Sequence, residues 1–310
     1  MRRSSGTRGK RRRAALWPCT GRCWQHERAR CAEVTLPDRL YDAYVFDLDG
    51  TVYLGDALLP AAGETIAALR ALGRRTMFLS NNPTRTRGDY VAKLARLGVP
   101  TPPTDLLLSS MVLADFLRRH LPEGRLFVVG EEPLCAELRE AGFELVHEAG
   151  YADAVIASFD RTFDYAKLQV AFDAIRGGAR FFATNGDRYC PVPGGGQPDA
   201  AAVIAALEAC TGRQCEAVVG KPSPYMIEAL LSQLGLPAAD CLLVGDRLET
   251  DISMGVAAGM ATALTLTGAT TSEALPSSAI QPTYVLRNLG ELLPVEGAGL
   301  VGNPLSAPRT

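Results

Sequence analysis

The chain has 310 residues, of which 47% are hydrophobic and 21% are charged, so it can form a substantial core and is not disordered over most of its length. Its formal net charge of -2 hides an uneven distribution, because the first 30 residues contain ten Lys or Arg residues and one acid. The rest of the chain holds 22 basic and 33 acidic residues, which argues against a nucleic-acid backbone as its partner.

Residues 1–35 are predicted to form a disordered basic tail, because they are rich in like charge and lack hydrophobic periodicity. We interpret this tail as a transit peptide or an upstream-translated extension, since its apolar run is too short for a secretory signal. Its cysteines lack the paired C-x2-C units of a zinc site. They are Cys19, Cys23 and Cys31.

The other cysteines are irregularly spaced and odd in number, which is typical of reduced thiols in a cytosolic protein. They are Cys135, Cys190, Cys210, Cys215 and Cys241. No uninterrupted apolar stretch reaches the length of a transmembrane helix. We therefore expect a soluble, cytoplasmic protein that has neither a membrane nor a nucleic acid as its partner.

Short β-branched or aromatic runs alternate with segments of helical period from Tyr41 onward, which predicts an α/β fold of parallel strands joined by helices. The first predicted elements are strand 43–47, helix 61–71, strand 76–80 and helix 87–97. A middle set comprises strands 126–130, 154–157 and 180–184 with helices 133–141 and 165–175. After a Gly- and Pro-rich stretch come helices 200–211, 224–234 and 250–258 with strands 241–245 and 261–266.

The domain organisation follows from the position of the polar motifs along the chain. The middle set of elements contains none of the four clusters described next, so we interpret it as an inserted domain. The predicted architecture is a doubly wound parallel-sheet core, residues 36–108 and 200–310, with an α/β insertion at 109–199.

The first polar cluster is Asp47-Leu48-Asp49-Gly50-Thr51, directly after the first predicted strand, where active sites of open α/β folds collect. Its two carboxylates face the same crevice once the chain turns at Gly50. One carboxylate can then attack a substrate while the other handles a proton. The competing interpretation is a simple turn, because Asp and Gly are common turn residues.

Two further clusters supply a hydroxyl and a cation. Ser80, Asn81 and Asn82 follow the second predicted strand, where the hydroxyl can donate a hydrogen bond to an oxyanion. Lys221 lies on a loop before a helix that Pro224 opens, and a fixed ammonium there can neutralise a phosphoryl group. Taken alone, these clusters are also typical of a turn and of an exposed loop lysine.

The fourth cluster places Asp246 at the end of predicted strand 241–245, and Asp251 follows five residues later. Asp246 is positioned to join Asp47 around a hard divalent cation, which needs oxygen ligands. Asp251 lies near a helix start, where it either interacts with the helix dipole or supports the metal site.

In the same order, the four clusters resemble the motifs of the haloacid dehalogenase (HAD) superfamily of phosphohydrolases: a D-x-D-G-T start, a strand-end Ser, a Lys and a G-D-x-x-x-x-D finish. The resemblance covers nearly everything between residues 42 and 293. Finer features resemble subfamily IIA, the NagD-type, p-nitrophenylphosphate, phosphoglycolate and pyridoxal phosphate phosphatases, whose α/β cap of C2 type lies between the second and third motifs. They are Asp49-Gly50-Thr51-Val52-Tyr53, Ser80-Asn81-Asn82-Pro83-Thr84, Thr184-Asn185-Gly186-Asp187 and Gly220-Lys221-Pro222-Ser223.

The resemblance implies a phosphatase in which Asp47 is the nucleophile and forms an aspartyl-phosphate. Asp49 would protonate the leaving oxygen and then activate water, while Ser80 and Lys221 would bind the transferring phosphoryl oxygens. This division agrees with phosphoryl transfer in general, which requires mostly positioning and charge compensation.

The resemblance also implies Mg2+ as cofactor. The ion would be held by the Asp47 carboxylate, the Asp49 main-chain carbonyl and Asp246, with Asp251 supporting the site from outside. Many relatives dimerise through the cap, so a homodimer is an expectation of the same resemblance.

The cap is expected to cover the pocket and to recognise the leaving group. Few aromatic residues in the cap and an acidic body favour small sugar, glycerol or glycolate phosphates over nucleotides, and a large cap argues against phosphoproteins. Thr51 is expected to orient its loop through its hydroxyl. The predicted substrate-binding residues are Thr51, Asn81, Asn82, Asn185 and Asp187, with Arg188 and Tyr189 as further candidates.

One segment departs from the family pattern. Family members commonly carry a glycine-rich stretch after the cap, whereas this chain has Gln197-Pro198-Asp199-Ala200-Ala201-Ala202. The departure leaves the core chemistry untouched and bears on the shape of the junction between cap and core.

Three other kinds of protein share some of these residues: a response-regulator receiver, a dehalogenase and a pseudoenzyme. A response-regulator receiver needs about a third of this length, and a dehalogenase of the same superfamily needs neither the Asp49 carboxylate nor a metal. A pseudoenzyme is expected to have lost Asp47, Asp49, Lys221 or Asp246, and all four are present. A catalytically weak regulatory protein that binds phosphometabolites on the same fold stays open as the alternative.

Overall fold

The structure, a computed structural model, describes residues 33–293. Its helices are α1 (Ala62–Ala71), α2 (Arg87–Arg96), α3 (Ser109–His120), α4 (Glu132–Glu140), α5 (Tyr165–Arg176), α6 (Ala200–Thr211), α7 (Pro224–Leu234) and α8 (Ser253–Ala258). Its strands are β1 (Ala43–Asp47), β2 (Tyr53–Leu54), β3 (Ala57–Leu58), β4 (Arg75–Ser80), β5 (Leu106–Leu108), β6 (Arg125–Val129), β7 (Glu144–Leu145), β8 (Ala154–Ala157), β9 (Arg180–Ala183), β10 (Tyr189–Val192), β11 (Gly195–Pro198), β12 (Ala217–Val218), β13 (Cys241–Gly245), β14 (Ala261–Thr265) and β15 (Tyr284–Leu286). Two large parallel sheets with helices confirm the predicted α/β class.

The first sheet contains six parallel strands in the order β15, β14, β13, β1, β4, β5. Strands β4 and β5, which come next in this sheet along the chain, lie on one side of β1. Strand β13, which comes later in the chain, pairs with the other side of β1. This reversal of direction is the doubly wound arrangement, in which ligands bind beside the strand ends at the switch point. The carboxyl ends of β4, β1 and β13 therefore lie side by side.

Strand β1 is buried on both faces, as a central parallel strand requires. Tyr44 and Phe46 point into an apolar cluster that contains residues of α1 and α2. Ala43 and Val45 point the opposite way, into a cluster that contains residues of α3 and α7. Helices thus cover both faces of the sheet and hold β1 and its terminal Asp47 in place.

Two helix starts next to the motifs are capped by local side chains. The Thr86 hydroxyl accepts a hydrogen bond from the Asp89 N–H (3.1 Å), and Asp89 accepts one from the Thr86 N–H (2.9 Å), which forms a capping box before α2. Ser223 caps α7 by accepting from the Met226 N–H (3.3 Å), and Pro224 takes the first helical position. These caps fix the loops that follow β4 and Lys221.

The second sheet contains five parallel strands in the order β12, β9, β8, β6, β7. The predicted insertion, 109–199, supplies four of them, but β12 follows it in sequence and pairs with β9. Val203 and Leu207 of α6 join the apolar cluster of this sheet. The elements between 200 and 218 that were predicted to belong to the core therefore lie with the second sheet.

Several elements differ from the sequence-based expectation. Strand β5 and helix α3 were not predicted, and the predicted helix 250–258 begins with a π-helical turn at Leu248–Ile252. The Gly- and Pro-rich stretch contains an antiparallel hairpin of β10 and β11, which pair only with each other.

The predicted tail, 1–35, lies outside the described residues except for its last three. Thr35 exchanges two backbone hydrogen bonds with Val285, both 3.0 Å long, so this residue of the predicted tail pairs with β15. Cys19, Cys23 and Cys31 also lie outside the described residues. The other five cysteines lie within residues 33–293 and are free thiols. Among residues 33–293, no helix combines the length and the apolar character needed to cross a membrane.

Candidate active site

The ends of three neighbouring strands converge on one cavity. Asp47 ends β1, Ser80 ends β4, and Asp246 directly follows β13. Because these strands are adjacent and parallel, the three side chains reach the same edge of the sheet, and all three line a narrow cavity of about 40 Å³. Asp49, Lys221 and Asp251 line it as well.

Lys221 is the cation at the centre of this site. Its ammonium, 3% exposed, donates to Asp47 Oδ1 (2.5 Å) and to Asp251 Oδ1 (2.8 Å). The Asn81 amide holds the lysine backbone on both sides: Asn81 Oδ1 accepts from the Lys221 N–H (2.8 Å), and Asn81 Nδ2 donates to the Lys221 carbonyl (3.1 Å). The loop after β4 therefore fixes the position of the ammonium.

Three carboxylates surround that ammonium, those of Asp47, Asp246 and Asp251, and one oxygen of each lies within 4.8 Å of the others. Asp47 Oδ2 is buried without a hydrogen-bond partner among the described residues. Three acids against one lysine leave an excess of negative charge, and a buried, unpartnered carboxylate oxygen is costly. The set of donors therefore fits a hard divalent cation such as Mg2+.

Burial shapes the ionisation of the cluster. It raises the pKa of the Asp47 carboxyl, and the Lys221 ammonium opposes that rise only in part. It also raises the pKa of Asp246 to about 7, with the nearby charge of Asp251 acting in the same direction. For Lys221, burial alone disfavours the ammonium, but contact with Asp251 and Asp47 outweighs it and raises the pKa. The lysine is thus firmly charged among acids that need a further cation.

Asp49 occupies a different environment from Asp47, although both line the cavity. Burial raises the pKa of Asp49, which favours the protonated form that a general acid needs. The Tyr53 hydroxyl lies 3.5 Å from Asp49 Oδ2 and donates toward it. The two carboxyls therefore differ in their partners, a lysine for Asp47 and a tyrosine for Asp49.

Gly50 allows the chain to turn between these acids and Asp246. Its φ of +99° lies in the region that favours glycine, and a Cβ on this residue would stand 2.5 Å from Asp246 Oδ2. The turn thus requires glycine both for its backbone angle and for its close approach to the third acid.

Ser80 presents its hydroxyl from a fully buried position. Its Oγ shares a hydrogen bond with the Tyr90 hydroxyl (3.0 Å) and accepts from the Asn82 N–H (3.1 Å). Tyr90 in turn donates to the Asn82 carbonyl (2.9 Å), so the loop after β4 is held to helix α2. Asn82 lines the cavity beside Ser80.

Asp187 connects the loop after β9 with the first sheet. Its carboxylate accepts from Asn81 (2.7 Å) and from Asn185 (2.9 Å), and it lies 3.5 Å from the Arg247 guanidinium. Arg247 also donates to the Tyr189 carbonyl (2.8 Å) and lies over the Tyr189 ring. These contacts hold the hairpin of β10 and β11 beside the cavity, where Tyr189, Cys190 and Pro191 line it.

Two of the predicted substrate-binding residues do not line the cavity. Asn185 is fully buried, and its amide is occupied by Thr184, Asp187 and Asp199, so it supports the loop instead of facing a ligand. The Thr51 hydroxyl is buried and has no hydrogen-bond partner within residues 33–293, so the predicted role in orienting its loop finds no contact.

Three features of the site were not predicted: Arg247, Tyr90 and the hairpin of β10 and β11. Arg247 lies inside the G-D-x-x-x-x-D motif, which was the available signal for it. The hairpin lies in a Gly- and Pro-rich stretch, a composition typical of loops. Tyr90 gave no signal, because a helical tyrosine is most often a core residue.

A wider cavity of about 460 Å³ adjoins the narrow one. The two share wall residues, among them Asp187, Lys221 and Arg247, while Arg188 and Glu249 contribute charged groups to the wider cavity alone. The narrow cavity thus has room for a small group at Asp47, and the wider one has room for what is attached to it.

Comparisons with known proteins agree with this geometry. The family model described as haloacid dehalogenase-like hydrolase matches residues 44–144, and a second, HAD-hydrolase-like model matches residues 218–292. The sugar-phosphatase AraL of Bacillus subtilis is 39% identical over 83% of this chain and 94% of the relative. Chronophin of Rattus norvegicus is 37% identical over 85% of the chain and 90% of the relative. The crystal structure of 4-nitrophenylphosphatase from Thermotoga maritima is similar with a TM-score of 0.77, at 35% identity over 81% of this chain and 96% of that one.

Proposed function

Because the chain belongs to the haloacid dehalogenase-like hydrolases and is a phosphoric monoester hydrolase, we propose that it is a Mg2+-dependent phosphatase of small phosphorylated metabolites. The observation that carries this proposal is the buried cluster at the end of β1. There Asp47 contacts Lys221 through one oxygen, and its other oxygen is buried without a partner among the described residues. A nucleophile held between a fixed ammonium and a site for a second cation is suited to an anionic substrate.

In the proposed first step, a carboxylate oxygen of Asp47 attacks the phosphorus atom of the monoester and an aspartyl-phosphate forms. The bond between phosphorus and the leaving oxygen breaks, and the protonated carboxyl of Asp49 gives its proton to that oxygen. Ser80 and Lys221 hold the phosphoryl oxygens in place during the transfer. The leaving group departs as a neutral alcohol.

In the second step, the Asp49 carboxylate takes a proton from a water molecule, and the water oxygen attacks the phosphorus of the aspartyl-phosphate. The bond between phosphorus and the Asp47 oxygen breaks, so inorganic phosphate leaves and the Asp47 carboxylate is restored. Asp49 is protonated again and ready to act as an acid. Its contact with the Tyr53 hydroxyl suits a group that must exchange protons in both steps.

Mg2+ would be held by Asp47, the Asp49 main-chain carbonyl and Asp246. Asp251 would support the site through its contacts with Lys221 (2.8 Å) and with the Arg247 N–H (3.1 Å). When bound, the ion supplies charge compensation for the carboxylates and for the phosphoryl group.

We propose sugar, glycerol, glycolate or nucleotide monoesters as substrates. The similarity to a protein named sugar-phosphatase favours the first of these. Residues of the hairpin line the narrow cavity, which favours a small substrate rather than a phosphoprotein. The wider cavity, with Arg188 and Glu249 on its wall, supports a leaving group that carries polar groups.

We further propose that the second sheet and its helices act as the cap and that the protein forms a homodimer through this cap. We also propose that the protein is located in the cytoplasm. Two aromatic residues of the proposed cap, Tyr151 and Tyr165, are 55% and 78% exposed, which supports a protein contact there. Light scattering across a concentration series tests this proposal, and a monomer throughout would refute it.

The test of the proposed activity is phosphate release from p-nitrophenyl phosphate and a panel of sugar, glycerol, glycolate, nucleotide and pyridoxal phosphates, with Mg2+ or with EDTA. Asp47→Asn is expected to lower kcat by at least about 10³-fold, because the amide is a poor nucleophile. Asp115→Asn, which alters an exposed ion pair with Arg118, is the matched control and should retain activity. A folded wild type that binds these esters but releases no phosphate would instead support a regulatory binding protein.

A further inference from the structure

Lys93 is a buried lysine that the proposed mechanism does not use. It lies on α2, and only 4% of it is exposed. Burying an ammonium is costly unless a charge or a polar group compensates for it. Its position therefore requires a reason that packing alone does not supply.

The ammonium of Lys93 lies over an aromatic ring next to the cavity. Its Nζ is 3.5 Å from the centroid of the Tyr53 ring, a distance at which the face of a desolvated ring attracts a cation. Tyr53 itself is fully buried. The lysine and the tyrosine thus hold each other within the core beneath the loop that carries Asp49.

Tyr53 is joined to that loop by its backbone and by its side chain. Its carbonyl accepts from the Gly50 N–H (2.8 Å), and its own N–H donates to the Leu48 carbonyl (3.1 Å). Its hydroxyl donates toward Asp49 Oδ2 at 3.5 Å. A shift of the ring would therefore move the carboxyl of Asp49 or release it.

We propose that Lys93 is a positioning residue for the general acid: it fixes the Tyr53 ring, whose hydroxyl holds the Asp49 carboxyl toward the leaving oxygen. This inference rests on the proposed role of Asp49 as the acid. Lys93 itself touches neither the phosphoryl group nor the leaving group.

A positioning role for Lys93 predicts that the effect of its loss depends on the leaving group, which a purely structural role does not. Proton transfer from Asp49 matters most when the leaving group is a poor one, and matters little for p-nitrophenolate, which leaves without a proton. Loosening Asp49 should therefore harm the hydrolysis of phenyl phosphate more than that of p-nitrophenyl phosphate. The two esters differ only by the nitro group, and dividing each variant's preference by that of wild type removes the binding difference that both proteins share.

The experiment measures kcat/KM for both esters in wild type and in Lys93→Met, Lys93→Arg and Tyr53→Phe. The preference for p-nitrophenyl phosphate is expected to rise about tenfold in Tyr53→Phe, which removes the hydroxyl itself, and about threefold in Lys93→Met, which only loosens the ring. Lys93→Arg keeps a cation over the ring and should restore most of the wild-type preference. Lys167→Met, which removes a lysine that contacts Asp160 in the second sheet, is the matched control and should leave the preference unchanged.

Asp49→Asn separates this inference from the proposed function. If Asp49→Asn lowers both rates by the same factor, Asp49 is not the acid and the proposed function fails on that point. If Asp49→Asn raises the preference but folded Lys93→Met and Tyr53→Phe do not, the positioning role of Lys93 is overturned. Should Lys93→Met fail to fold in a circular dichroism melt, Lys93→Gln, which also removes the charge but keeps a polar side chain, takes its place in the comparison.

Discussion

Lys221 connects two buried acids, Asp47 and Asp251, through its ammonium. Its ammonium lies 2.5 Å from Asp47 and 2.8 Å from Asp251, and all three groups are almost fully shielded from solvent. In such a site the loss of one partner is expected to be more harmful than the contact itself is favourable. The residue thus has a structural as well as a chemical role.

We predict that Lys221→Met abolishes phosphate release and lowers the free energy of unfolding by about 3 kcal/mol at pH 8 in EDTA. The pKa of Lys221 is raised in the folded state, so the ammonium contributes fully at all pH values below its ordinary range and is lost only above it. Urea denaturation measures the change. Arg180→Met, which removes an exposed pair with Glu216, should cost less than about 1 kcal/mol, and equal losses would contradict the prediction.

The acids and the lysine of the site were predictable because each lies at a strand end or in a loop with a recognisable spacing. The structure brings Asp47, Asp49, Ser80, Lys221 and Asp246 together as that spacing indicates. The hydrogen-bond partners of a buried side chain, in contrast, can be distant in the sequence. Asn185 was predicted to face a substrate because the family motif includes it, and no local pattern reveals its hydrogen bond to Asp199, fourteen positions away.

At the level of elements, Arg247 anchors the hairpin of β10 and β11 to the first sheet. Arg247 donates to the Tyr189 carbonyl (2.8 Å), lies 4.7 Å from the centroid of the Tyr189 ring, and faces Asp187 at 3.5 Å. Since the hairpin lines the narrow cavity, this arginine is expected to govern how well the site is closed over a substrate.

We predict that Arg247→Met raises KM about tenfold with a smaller change in kcat, because the hairpin loses its anchor while the residues around Asp47 stay in place. Amide exchange of residues 189–198 should become faster, as measured by mass spectrometry. Arg125→Met breaks an ion pair with Asp153, neither of which lines a cavity, and serves as the control. Unchanged exchange in the hairpin would count against this role for Arg247.

Regular strands were predicted well, and the exceptions have a physical reason. Strands β1, β8 and β13 have the predicted bounds because each is an apolar run that ends at polar or turn residues. Strand β5 is Leu106–Leu108 and passes into α3 without an intervening loop, so no boundary residue marks it. The hairpin contains Pro191 and three consecutive glycines, a composition that indicates a loop until cross-strand pairing is seen.

On the scale of the whole molecule, metal binding and folding are expected to be linked. The site buries Asp47, Asp246 and Asp251 together, and burial raises the pKa of Asp246 to about 7. A carboxyl with a raised pKa in the folded state stabilises the fold below its unfolded pKa of about 4, and that contribution is lost as the pH rises to about 7. A bound cation would offset this loss at neutral pH.

We therefore predict that stability in EDTA falls between about pH 4 and pH 7, and that Mg2+ at about 100 times its Kd restores about 2.7 kcal/mol at pH 8. Thermal unfolding with Mg2+ or EDTA checks both effects. In Asp246→Asn the EDTA form should be more stable than that of wild type at pH 8, and the response to Mg2+ should be weaker. A variant that matches wild type in both respects would refute the assignment of Asp246.

The hairpin also bears on how such a protein changes over evolutionary time. Its two strands pair only with each other, so neither large sheet loses a ladder hydrogen bond when the hairpin sequence changes. Mutations there can accumulate at little cost to folding and leave the acids at the ends of β1 and β13 untouched. After a gene duplication, one copy can therefore change its range of substrates and keep the same catalytic acids.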